Sequence, residues 1–148
     1  MVLDGVPYGL RQFHFHSPSE HTMAGEHAAM ELHLVHWSDA GVIAVVGVML
    51  QIGGHNRGLD PIWDHMPGEP GYPVTAADVS VDAAALLPDD RSYVSYEGSL
   101  TTPPCNEGVR WRLLVQPSPV SIDQVAAFRA IYDGNNRPVQ PLNDRSFD

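Results

Sequence analysis

Cysteine is almost absent from these 148 residues. Cys105 stands alone, so no internal disulfide can form, and no thiolate set exists to close a structural zinc site with four protein ligands. An isolated cysteine is most often an inert buried residue, or in an oxidising compartment one whose partner lies elsewhere. Positive charge is also scarce: 8 Lys+Arg against 18 Asp+Glu give a net charge of −10, which leaves almost nothing for counterion-release binding to a phosphate backbone. Nucleic acid is therefore not an expected partner. No uninterrupted apolar run approaches the roughly 20 residues that a membrane span needs, and no membrane association is expected. The opening MVLDGVPYGLRQF has neither a basic n-region nor an apolar h-region, so no export signal is expected on this chain. Disorder is excluded by 43% hydrophobic and only 18% charged residues, and the length suits one domain.

What is abundant is punctuation. With 13 Gly and 13 Pro, the chain favours many short strands joined by turns over long helices. Gln12-Phe13-His14-Phe15-His16 alternates, which at period 2 puts Gln12, His14 and His16 on one face of a strand running from Tyr8 to His16. Ser17-Pro18-Ser19 ends it. Met30 to Trp37 alternates again, with Glu31, His33, Val35 and Trp37 on one face and Met30, Leu32, Leu34 and His36 on the other. After a tight turn at Asp39-Ala40-Gly41, Val42 to Ile52 is nearly continuous and β-branched, the composition of a strand covered on both sides. These three strands predict a meander at the centre of the fold. A short helix is expected with Asp60 as N-cap and Pro61 at its first position, and a second helical turn at Ala83 to Leu87. Val109 to Val115 reads as a strand. Ser121-Ile122-Asp123-Gln124 is a capping box opening a helix to about Tyr132, stopped at Gly134.

Eight histidines are the compositional oddity, and three have the arrangement a catalytic metal site requires. His14 and His16 share a strand face, and an antiparallel neighbour carrying His33 would bring in a third imidazole, leaving one tetrahedral position of a Zn2+ ion open. A ligating imidazole usually gives its other N–H to an oxygen that fixes its orientation. Gln12 and Glu31 are placed for this, each two residues before a candidate ligand on the same face. The bland alternative is a surface H-x-H tripeptide in a histidine-rich chain.

The segments QFHFHSPSEHT (Gln12 to Thr22), AMELHLVHW (Ala29 to Trp37) and YEGSLTTPPCNEGVRW (Tyr96 to Trp111) closely resemble the α-class carbonic anhydrases of bacterial type, in the same order, and NNRPVQPLNDR (Asn135 to Arg145) is similar to that family's C-terminal segment. The resemblance implies a mainly β fold with a few short helices, built on a large, mostly antiparallel twisted central sheet. It implies that residues 1–148 are a single partial domain, incomplete on its N-terminal side by about one third. It places the zinc ligands on His14, His16 and His33, their outer partners on Gln12, Glu31 and, through its carbonyl, Asn135, and the hydroxyl–carboxylate pair that orients the nucleophile on Thr101 and Glu20. Thr102 would line the polar side, and Val35, Val45, Leu100 and Trp111 the apolar pocket for CO2. The implied reaction is reversible hydration of CO2 to bicarbonate by metal-hydroxide attack.

Two features depart from the family pattern. Its proton-shuttle histidine lies upstream of the first ligand, whereas the earliest histidine here is His14, so no shuttle is assigned; His55 and His65 read as surface residues and His21 and His36 as hydrogen-bonded core groups. Strands expected beside the His14/His16 strand are missing, which predicts an unpaired sheet edge open to self-association and leaves Cys105 without the N-terminal partner usual in bacterial relatives. Those relatives imply a periplasmic or secreted destination. The competing expectation is an inactive or weakly active zinc-binding fragment or interaction module.

Overall fold

The computed structural model describes residues 1–71 and 73–148. Among the described residues nine strands form: β1 (Val2–Leu3), β2 (Val6–His16), β3 (Thr22–Met23), β4 (Glu26–His27), β5 (Met30–Ser38), β6 (Ile43–Ile52), β7 (Tyr93–Ser99), β8 (Glu107–Leu114) and β9 (Ser118–Val120). The helices are short: α1 (Asp60–Trp63), α2 (Ile122–Arg129), and 3-10 turns at Arg57–Leu59 and Ala83–Leu86. The main sheet runs β1-β2-β5-β6-β8-β7, with β9 also on β6, while β3 and β4 form a separate ribbon. The predicted meander is β2-β5-β6, antiparallel throughout. β7 and β8 are antiparallel to each other, but β8 and β9 lie parallel to β6, so the sheet is mixed where the alternation pattern carries no sign of direction.

The alternation of β5 sorts the two faces. Met30, Leu32 and Leu34 join Phe15, Val48, Leu50 and Leu114 in the principal core, which Leu59, Leu86, Val125 and Phe128 cover from the helical side. The opposite face carries Val35, Val45, Val109 and Trp111 as a smaller cluster around the histidines. One face is thus spent on stability and the other is free for chemistry.

Several boundaries shift from the sequence reading. Asp60 does not cap α1: it is the first residue of that helix, whose N-cap Leu59 makes no side-chain cap bond, and its carboxylate meets the His55 ring at 2.6 Å instead. The capping side chain nearby belongs to Asn56, which accepts from Gly58 N–H at the preceding 3-10 turn. The capping box at Ser121 and Gln124 forms, but α2 ends at Arg129, because Phe128 O takes the N–H groups of both Ile131 and Tyr132 and loosens the last turn. β7 and β9 are absent from the sequence reading; β7 (YVSYEGS) mixes aromatic and polar residues and pairs with β8, and β9 is three residues long and pairs with β6.

Candidate metal centre and active site

β2 and β5 place His14 directly opposite His33, and His16 opposite Glu31. The three imidazoles of His14, His16 and His33 converge, with ring centroids 5.0, 5.1 and 4.7 Å apart and one ligand nitrogen of each within 4.8 Å of the others. Each ring is engaged at its other nitrogen by an oxygen. His14 Nδ1 lies 2.8 Å from Gln12 Oε1, His16 Nδ1 3.1 Å from Asn135 O, and His33 Nε2 2.9 Å from Glu31 Oε1. Those oxygens accept, so the rings donate there, and the lone pairs left on His14 Nε2, His16 Nε2 and His33 Nδ1 face the common space. His16 Nε2 is buried and has no hydrogen-bond partner among the described residues. Three nitrogen donors with one of them orphaned and buried fit a divalent cation of the zinc type, for which imidazole is a preferred ligand.

Burial favours the neutral, metal-competent rings. It pushes His14 down to about 4, with His33 and His16 adding repulsion against a second positive charge, and it lowers His16 for the same two reasons. Behind them Glu31, fully buried, collects four donors: Glu20 N–H and His21 N–H at Oε2, both 2.9 Å, and His21 Nδ1 at 2.6 Å with His33 Nε2 at Oε1. Burial alone would raise its pKa, but the His21 and His33 donors outweigh it and hold the carboxyl well below the carboxylate range. His21 then accepts from Tyr96 O–H at 2.6 Å, and burial first, then the Glu31 charge, raises the Tyr96 phenol further above its ordinary range. The grouping of His21, Glu31 and His33 has metal-like spacing, but two N–H groups already occupy Glu31 Oε1, so it is the support of the first cluster.

A cavity of about 700 Å³ opens beside the imidazoles. Val35, Val45, Leu100 and Trp111 supply its apolar lining, and Thr101, Thr102, His14 and His33 line it as well. Trp111 is fixed by Nε1 donating to Ser99 O at 3.1 Å and by edge contact with the His33 ring at 4.8 Å. Glu20 is buried, with Oε1 accepting from Arg137 N–H at 2.6 Å and Oε2 lacking a hydrogen-bond partner, 3.4 Å from His16 Nε2. Thr101 and Glu20 line a common second cavity of about 640 Å³, yet among the described residues no hydrogen bond joins them. His36 is a core residue that meets Leu34 O at 2.9 Å, while His55 and His65 lie on the surface.

Three contributors escape a reading by alternation. Arg11 should face away from Gln12, but a bulge between Leu10 and Gln12 lets both line the cavity. Ile43 is the second, lining the cavity beside its β5 partner Trp37, which the alternation does place on the face of His33. Gly47, paired with His33, is the third: a Cβ there would stand 3.0 Å from Glu31 Oε1 and 2.9 Å from Leu113 Cδ1.

A mixed sheet on which three imidazoles converge, each backed by an oxygen partner, presents the donor set of a metal site. Comparison with known proteins makes the class specific. The family model of eukaryotic-type carbonic anhydrases matches residues 1–147, and the chain belongs to that family. It is similar to the carbonic anhydrase of Klebsiella pneumoniae, 48% identical over 98% of this chain and 59% of that protein, and to that of Nostoc sp., 46% identical over 93% of this chain and 52% of that one. Among solved structures, the α-carbonic anhydrase of Thermovibrio ammonificans in complex with the inhibitor sulfanilamide superposes with a TM-score of 0.93 at 47% identity, over 99% of this chain and 65% of that one. The Photobacterium profundum α-carbonic anhydrase gives 0.92 at 41%, over 99% and 67%. The chain spans 59% and 52% of the length of the two curated relatives named.

Proposed function

We propose that this chain carries the zinc centre of a carbonic anhydrase and supports the reversible hydration of CO2 to bicarbonate and a proton. The observation that carries the reading is the convergence of three imidazole nitrogens beside an apolar wall. His14, His16 and His33 would hold Zn2+, which supplies the Lewis acidity that makes water a nucleophile near neutral pH. Gln12, Glu31 and the Asn135 carbonyl keep the rings aimed and basic. Glu20, tethered at Oε1, keeps Oε2 free to accept the Thr101 hydroxyl proton, so that the Thr101 lone pairs can accept from the attacking water and select one orientation. Val35, Val45, Leu100 and Trp111 hold the uncharged substrate and exclude water, and Thr102 offers a polar flank. Arg11 gives the departing bicarbonate a cation at the rim.

The test is the chain itself, purified without chelator, assayed for zinc per chain and for CO2 hydration by stopped flow. Stoichiometric zinc with hydration that disappears in His14→Ala supports the reading; a folded chain that takes up no zinc overturns it.

A second reading has its own support. Among the described residues no strand pairs with the outer edge of β2 from Gly9 to His16, and Leu10 and Trp37 are exposed beside it, so a zinc-binding module that self-associates through this edge, with weak or no turnover, is the alternative. Bound zinc without hydration, in a concentration-dependent dimer, would favour it. A periplasmic or extracellular destination belongs to the first reading and rests on resemblance to bacterial relatives.

A further inference from the structure

The three candidate ligands are not supported alike. Gln12 and Glu31 serve His14 and His33 from two residues upstream on the same strand, so those supports form with the strand itself. His16 receives its support from Asn135, 119 residues away in an irregular segment. That segment does more than offer one carbonyl. The Asn135 side chain donates from Nδ2 to Phe15 O at 2.9 Å and accepts at Oδ1 from Ser17 N–H at 2.8 Å, one contact on each side of His16. A carboxamide presents donor and acceptor side by side as a peptide group does, so Asn135 pairs the C-terminal end of β2 as a neighbouring strand would. Gly134 N–H donates to Ser17 O at 3.1 Å, and Arg137 N–H to Glu20 Oε1 at 2.6 Å.

We propose that Gly134–Arg137 is a clasp on the metal centre, with the Asn135 side chain as a positioning residue for His16, so that metal occupancy and docking of this segment are thermodynamically linked. The proposal rests on the reading of His14, His16 and His33 as a metal site. Linkage is reciprocal: if the docked clasp aims His16 Nε2 at the cation, then a bound cation must stabilise the docked clasp by the same factor. Glu20 is caught in the same device, because the segment that orients His16 also fixes one oxygen of that carboxylate and leaves the other free. Asn135 is itself exposed, so shortening it opens no core cavity and the effect reads as positioning.

The experiment uses the full chain with Zn2+ as probe and compares wild type, Asn135→Ala, Asn135→Asp and Arg145→Ala. Zinc affinity is measured by chelator competition, and amide hydrogen exchange at Gly134 and Arg137 with and without zinc. Loss of an outer partner of this kind costs about 10- to 100-fold in metal affinity. Because the backbone carbonyl remains, Asn135→Ala should sit near the lower end, about tenfold. Asn135→Asp, which keeps the acceptor for Ser17 N–H but sets a carboxylate oxygen against Phe15 O, should lose at least as much as Asn135→Ala. Zinc should slow exchange of both amides in wild type, and much less in Asn135→Ala. Arg145→Ala, which removes contacts to the Pro141 and Leu142 carbonyls of the same tail, should leave zinc affinity unchanged. A wild type that binds zinc, with Asn135→Ala within twofold of it or with exchange indifferent to zinc, overturns the clasp alone. A folded wild type that binds no zinc overturns the metal reading and the clasp with it.

Discussion

Replacing Glu31 by glutamine tests the buried support of the site more sharply than removing a ligand would. The change is nearly isosteric, yet all four contacts at the two Glu31 oxygens are donors: the N–H groups of Glu20 and His21 at one, His21 Nδ1 and His33 Nε2 at the other. A glutamine must turn its NH2 toward one of these pairs. If it faces the Glu20 and His21 backbone, two buried N–H groups lose their acceptor, at about 1–3 kcal/mol each. If it faces the imidazoles, the rings can escape only by exchanging tautomers, and a His33 protonated on Nδ1 no longer offers a lone pair to the cation. The first arrangement costs about 2–6 kcal/mol of folding stability, and the second costs metal affinity by about 10- to 100-fold or more. Urea unfolding of the metal-free chain and chelator competition for zinc read the two outcomes separately. Glu31→Gln that matched wild type within about 0.5 kcal/mol, inside the ordinary range of surface substitutions, and also matched it in zinc affinity would refute the assignment of four donors to one ionised carboxylate.

Three further expectations follow from the same geometry. Gly47→Ala should cost about 1–3 kcal/mol and weaken zinc binding, since Leu113 can rotate away from the new methyl but Glu31 cannot move without surrendering its donors; an alanine variant as stable as wild type in urea would contradict this. The metal-free chain should lose stability on acidification. The unfolded chain protonates His14 near its ordinary 6.5, the folded one only near about 4, and protons taken up preferentially by the unfolded state erode stability as pH falls through that window, with Glu31 adding in the same direction lower down. Equal melting temperatures at about pH 7 and about pH 5 would count against buried neutral imidazoles. Arg11→Ala should weaken bicarbonate inhibition of CO2 hydration by up to about fivefold, the range of an exposed ion pair, and most visibly at low salt. Inhibition that is unaltered and equally salt-dependent would remove Arg11 from the anion path.

What the sequence discloses about this site depends on how local each cause is. The placement of His14, His16 and His33 is legible because strand alternation fixes which side chains share a face, and a single antiparallel pairing, β2 on β5, then brings the two sets into register. Gln12 and Glu31 are legible for the same reason, since a spacing of two along a strand is a spatial relation. The remaining contributors depend on contacts that no period encodes. Gly47 looks like an interruption in a β-branched run until β8 brings Leu113 beside it and β5 turns Glu31 toward it. Arg11 changes face through a bulge, which shifts the phase of an alternation that reads perfectly well without it. Asn135 sits in a stretch with no hydrophobic period at all, and its value lies in matching the two peptide groups that flank His16. The parallel placement of β8 against β6 belongs to the same class, because composition marks a strand as buried but carries no sign of its direction. Ligands and their nearest supports therefore follow from short-range pattern, whereas the tolerances within which those ligands are held come from long-range contacts. It is these contacts that separate a convergence of three histidines from a centre tight enough for catalysis.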